Sequence, residues 1–216
     1  MKNELTQTKI MDALDWAYQK AVNGVPGLDS AEEMATEYLA GSGTLEEKIN
    51  SLIRWQNTKA GTSGFLTGLG GIITMPVTIP ANIASVMYVQ IRMIAAIAKM
   101  CKQDLRSDRV KTLVYACLAG DAAKDILKDV GIVIGSKVAT NAIKNISGKT
   151  ITAINQKVGF RLLTKFGETG VINLVKVVPF LGGVVGGTVD AVATNLIGNV
   201  ARSTFLACME TEKSPS

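Results

Sequence analysis

Between Ala60 and Ile91 the chain runs for 32 residues without a charged side chain. So long an apolar run has to be covered, either by the protein's own core or by a bilayer. About 20 apolar residues are enough for a membrane-spanning helix. Pro76 and Pro80 interrupt this run, however, and Thr62, Ser63, Thr67, Thr74, Thr78, Asn82 and Ser85 are interleaved in it. The pattern predicts two helical pieces around a Pro-x-x-x-Pro break, one from Gly64 to Thr74 and one from Pro80 to Met100. In the second piece Ile83, Met87, Ile91 and Ile94 recur at helical spacing.

The rest of the chain also reads as helix. Ile10, Leu14, Ala17 and Ala21 set one face of a first helix, from Asn3 to Val22, and "NGVPGLDS" ends it. Ser30 with Glu33, and Thr44 with Glu47, have the S/T-x-x-E spacing of a capping box, predicting helices to Ala40 and Gln56. Ser107 caps a helix over 108–119. A further helix is expected from Asp121 to Asn145, with Gly131 and Gly135 inside it. From Thr150 to Phe166, Ile151, Ile154, Val158 and Leu162 share a face, while Lys157, Arg161 and Lys165 repeat every four residues on another. A short helix over 168–177, a last one from Pro179 to Met209 and a disordered tail, 210–216, complete the reading. The best rival for a strand is "GIVIGSKV" at 131–138. The expected fold is all-α, a compact multi-helix bundle with glycine-rich apolar hairpins. An acidic helical segment, 1–50, would precede the main helical domain, 51–209.

Composition excludes several chemistries. The chain has no histidine, which removes Ser-His-Asp and Cys-His nucleophile systems and His-ligated metal sites. Cys101, Cys117 and Cys208 are far apart and form no CxxC pair, so they read as small buried hydrophobes in a reducing compartment. The first residues carry charges and no apolar h-region, which predicts a cytoplasmic protein, peripheral at the inner face of the cell membrane where it meets lipid. Residues 1–48 hold nine acids and four bases. Between Val130 and Lys176, by contrast, stand seven bases (Lys137, Lys144, Lys149, Lys157, Arg161, Lys165 and Lys176) and one acid, Glu168. Such a block is drawn to an anionic lipid surface, a phosphate, or the protein's own acidic part. Its only aromatics are Phe160 and Phe166, both expected to pack inward, so it lacks the interleaved aromatics of a nucleic-acid surface, and no nucleic-acid partner is expected.

The short motifs carry little chemistry. "SGKT" at 147–150 resembles the end of a P-loop, but Ile143 stands where the first glycine is needed, and a turn between helices is the simpler reading. "GTSGF" at 61–65 resembles a nucleophile elbow without its last glycine, leaving only a Ser63–Lys59 pair. The glycines say more. Gly64 and Gly68, Gly131 and Gly135, Gly182 and Gly186, and Gly183 and Gly187 are each four apart, the spacing that lets another helix backbone approach. That helix could belong to a bilayer or to a protein core. Asp190 is the only charge between Val177 and Ala201. A carboxylate there needs a partner, with Arg92, Arg161, Lys165 and Lys176 as candidates, in a buried structural ion pair or in a polar pocket.

Two long stretches carry a resemblance. "GFLTGLGGIITMPVTIPANIASVMYVQIRMIAAIA" (64–98) and "KVGFRLLTKFGETGVINLVKVVPFLGGVVGGTVDAVATNLIG" (157–198) resemble the signatures of the EcsC family. The resemblance extends from Trp55 to Phe205, and residues 1–50 carry no such signature. The family is named after a bacterial operon that also encodes an ABC transporter, which makes a membrane transporter a candidate partner. No established catalytic residues come with it. The polar positions set among apolar residues in these motifs are Thr67, Asn82, Arg92, Arg161, Lys165, Glu168, Asn173 and Asp190.

The expected function is therefore lipid binding or peripheral membrane association, without catalysis, metal or cofactor. The basic block would hold anionic headgroups, and the glycine-rich hairpins would cover or enter the apolar phase. Two alternatives come from other classes. One is docking on a membrane transporter or another protein. The other is an enzyme built on a buried Asp190 with Arg92 or Lys165.

Overall fold

The computed structural model describes residues 5–60, 79–133, 145–166 and 184–210. Among these it contains helices α1 (Gln7–Asn23), α2 (Ala31–Ala40), α3 (Leu45–Ala60), α4 (Ala81–Met100), α5 (Asp108–Leu118), α6 (Ala122–Lys128), α7 (Gly148–Phe166) and α8 (Val184–Glu210). No strand occurs among the described residues; the one β-bridge, Val25 with Leu28, closes a turn. The all-α expectation holds. The piece expected at 64–74, the helix at 168–177 and the tail lie outside the described residues.

Helix α1 begins at Gln7 rather than at Asn3, while α2 and α3 start where the sequence set them. Thr6 Oγ1 accepts a hydrogen bond from the Lys9 N–H at 3.2 Å and opens α1. In α2 the Ser30 hydroxyl accepts from the Glu33 N–H, and the Glu33 carboxylate accepts from the Ser30 N–H at 2.8 Å. Thr44 and Glu47 repeat the exchange at α3. Each pair satisfies two donors that a helix end otherwise leaves open. These bonds, the backbone N–H first, hold both carboxyls below the usual range.

The centre of the bundle is α4. Helices α1, α2, α3, α5 and α8 all pack on it, and α7 closes the outside against α1, α5 and α6. The predicted face of Ile83, Met87, Ile91 and Ile94 is buried, but so are Val89, Met93 and Ile97 on its other sides. The segment Ile83–Met100 is long and apolar enough to cross a membrane, and 89% of it is buried inside the protein. A helix that is apolar all round requires cover all round, and here five other helices provide it. The front of the chain belongs to the same core: α1 buries Ile10, Leu14, Ala17 and Ala21, and α1 and α2 both pack on α4.

One expected helix is shorter than the sequence suggested. The helix beginning at Asp121 ends at Lys128, and does not run on through Gly131. Gly131 has φ +83°, a left-handed conformation incompatible with a helix interior but common just after a helix C-terminus. Gly131 therefore stands outside the helix, and Gly135 lies outside the described residues. "SGKT" is not a simple turn either: Ser147 caps α7, its hydroxyl accepting from the Thr150 N–H at 3.2 Å.

The three cysteines are free thiols and all are buried. Burial pushes the Cys101 and Cys117 thiols up to about 12 from an ordinary 9.0. Burial, and then nearby carboxylates, also raises Tyr18 and Tyr115. The fold thus favours the protonated forms. The stability this contributes is complete below pH 9.0 and is lost as the pH climbs through about 12. Circular dichroism over this range is expected to show unfolding that begins well above neutrality. At neutral pH a thiol reagent is expected to label none of the three until denaturant is added; rapid labelling of the native chain would contradict the burial.

Candidate functional site

Helices α6, α7 and α8 meet around the α5–α6 junction. Gly120 makes the junction, with φ +64° and its N–H bonded to the Cys117 carbonyl at 3.0 Å. A Cβ at this position would stand 3.4 Å from Leu196 Cδ2 of α8, so the glycine also lets α8 lie close. Asp121 then begins α6. Asp121, Asp125 and Asp129 are successive fourth residues and share its exposed face, while Ala123, Ile126 and Leu127 are buried. The helix α7 is fixed from the opposite side. Ile154, Val158 and Leu162 point inward, and Gly159 admits the Gln7 and Met11 side chains of α1. Gln7 Nε2 donates to the Gln156 carbonyl at 2.8 Å. Phe160, Arg161, Thr164 and Lys165 therefore project outward.

Two adjoining grooves result. The first, about 750 Å³, has the three aspartates on one wall and Lys157, Phe160 and Arg161 on the other. The second, about 670 Å³, is floored by Ala119, Ala122, Leu196 and Ile197, with Val192, Arg161 and Lys165 at its edge. Asp121, Ala122 and Arg161 line both. Two large apolar side chains stand out here, Phe160 at 66% and Val192 at 71% exposure.

The basic stripe of α7 thus faces a carboxylate stripe of α6. Lys157 is already in an ion pair with Asp129. Of the expected basic face, Lys149 stands at the start of α7, and Lys137, Lys144 and Lys176 lie outside the described residues. So do Thr67, Glu168, Asn173, Gly64, Gly68, Gly182 and Gly183. Asn82 lies in α4, and Gly186, Gly187 and Asp190 lie in α8; the side chains of that stretch are outside the described set.

Arg92 is elsewhere. It is 3% exposed in the middle of α4 and donates through Nη1 to the Asp29 carbonyl at 3.0 Å, against the backbone leading into α2. Its guanidinium lies 5.6 Å from the Tyr88 ring centroid. Its Nε and the Tyr88 hydroxyl have no hydrogen-bond partner among the described residues. Burial raises the Tyr88 hydroxyl, with Arg92 opposing. The structure therefore does not bring Arg92 together with Arg161 and Lys165: one is a core residue, the others are groove residues.

The sequence pointed to Arg161 and Lys165 but not to Asp121, Asp125, Asp129 or Val192, and Phe160, expected to pack inward, is instead 66% exposed. The four-residue spacing in "DAAKDILKD" was the available signal for the aspartates. Among the described residues no group of three Cys, Asp or Glu side chains could hold a metal ion.

The chain matches the EcsC protein family over residues 3–206, including the acidic front third that carries neither quoted motif. No curated protein and no solved structure matches it.

Proposed function

This chain belongs to the EcsC protein family, and we propose that it is a non-catalytic lipid-binding protein that associates peripherally with membranes through the α6–α7–α8 face. The observation that carries this reading is the second groove. Its floor is apolar, its edge holds the cations Arg161 and Lys165, and Val192 projects from it. An apolar channel with cations at one edge suits an amphiphile with an anionic phosphate. Exposed Phe160 and Val192 add apolar contact with the interfacial region of a bilayer. The central helix α4 is not needed for membrane contact, because the bundle already covers it.

Flotation with phospholipid vesicles tests the proposal. The protein is expected to float, and on anionic vesicles Arg161→Glu with Lys165→Glu is expected to weaken partitioning roughly thirtyfold or more, at about 1 kcal/mol per base near an anionic surface. Both side chains are exposed, so the double variant should keep its helical content. A protein that floats with neither zwitterionic nor anionic vesicles would contradict the reading.

A further inference from the structure

We propose that the double groove selects a zwitterionic phospholipid head group, with the terminal ammonium between Asp121 and Asp125, the phosphate on Arg161 and the acyl chain along Val192 and Leu196. This inference rests on the lipid-binding reading and adds the head-group class.

The charges of the two compartments differ in sign. The first groove is lined by Asp121, Asp125 and Asp129 against Lys157 and Arg161, a net charge of −1. The second is lined by Arg161 and Lys165 against Asp121, a net charge of +1. Lys157 and Asp129 neutralise one another. Among the described residues, Asp121, Asp125 and Arg161 are in no ion pair, which leaves two carboxylates and one guanidinium facing the grooves.

The geometry of those three groups sets the ligand. Asp121 and Asp125 are one helical turn apart, roughly 6 Å between Cβ atoms. Among the described residues no set of three ligating side chains could chelate a metal ion. A single bulky ammonium suits two separated carboxylates better. Phe160 lines the same groove and is 66% exposed, so an aromatic ring is available there to the same cation. Arg161 lines both compartments, as Asp121 does, whereas Asp125 lines only the first and Val192 and Leu196 only the second, so a phosphate on Arg161 sits between an ammonium drawn toward Asp125 and a chain in the apolar channel. That order of ammonium, phosphate and chain is the order along a phosphatidylethanolamine or phosphatidylcholine molecule. A glycerol head would instead set uncharged hydroxyls against two unpaired carboxylates.

The test compares lysophosphatidylethanolamine with lysophosphatidylglycerol of the same chain length, below the micelle concentration, by titration calorimetry. The ethanolamine lipid is expected to bind about tenfold more tightly, equivalent to about 1.4 kcal/mol. Asp121→Asn with Asp125→Asn is expected to erase that preference and leave the glycerol lipid's affinity unchanged or improved. Arg161→Gln is expected to weaken both lipids. Equal or tighter binding of the glycerol lipid, or a preference that survives the double Asn variant, would overturn the head-group assignment while leaving lipid binding intact. Binding of neither lipid would overturn both.

Discussion

Ile94→Asp is expected to abolish the cooperative fold. Ile94 is fully buried in α4, the helix on which five others pack. The substitution removes burial of an isoleucine side chain, about 1.5–3 kcal/mol. It also places a carboxyl in an apolar site with no prepared partner. That group would stay neutral in the fold, and even a neutral unpaired polar group costs about 1–3 kcal/mol there. Keeping an ordinary aspartic acid neutral at pH 7 costs about 4 kcal/mol more, so the sum, roughly 7–10 kcal/mol, is comparable to the whole stability of an ordinary domain, about 5–15 kcal/mol. Ile94→Val is the matched control, at about 0.5–1.5 kcal/mol. Urea unfolding followed by circular dichroism measures both. An Asp variant within about 1 kcal/mol of the parent would mean that α4 is not enclosed.

Gly198→Val is the second large effect, about 3 kcal/mol or more of destabilisation. A Cβ built on Gly198 would lie 2.8 Å from Ile53 Cγ1 and 2.9 Å from Ile53 Cγ2. Ile53 is itself buried and β-branched, so it has little rotamer freedom with which to yield. The contact fixes how closely α3 approaches α8, a pairing that Arg202 reinforces by bonding to Asn50 and lying 3.8 Å from Glu46. Alanine at 198 gains about 1 kcal/mol of helix propensity over glycine yet meets the same Ile53 atoms. It is therefore expected to be destabilising as well, though less so. In an Ile53→Ala background the Gly198→Ala penalty should vanish or change sign. The double-mutant cycle reads that coupling directly. Additive effects would mean that the helices are further apart than the structure has them.

Local signals in the sequence were read well because their causes are local. The boxes at Ser30–Glu33 and Thr44–Glu47, and the buried faces of α1 and α7, follow from spacing alone. The end of α6 did not, because nothing in the apolar pattern distinguishes a helical glycine from Gly131 at φ +83°. The surroundings of the glycine pairs at 64 and 68 and at 182–187 are outside the described set; among the described residues, helices approach closely at single glycines, Gly120, Gly159 and Gly198. What makes each matter is the side chain opposite, from a helix distant in sequence. The site was half legible for the same reason. Arg161 and Lys165 stood out as a basic repeat, but their meeting with the carboxylates of α6 and the apolar wall of α8 is a tertiary fact. Arg92 was singled out for its apolar neighbours, and those neighbours proved to be the core itself.

The most direct measurement is a fluorescence label on a cysteine placed at Val192. The native cysteines are buried, so an environment-sensitive dye would attach selectively to Val192→Cys, with Glu37→Cys on the exposed side of α2 as the reference. On adding phospholipid vesicles, the emission from position 192 is expected to shift to the blue and brighten, while position 37 stays unchanged. A spectrum at 192 that ignores vesicles, or equal shifts at both positions, would contradict lipid binding through the α6–α7–α8 face.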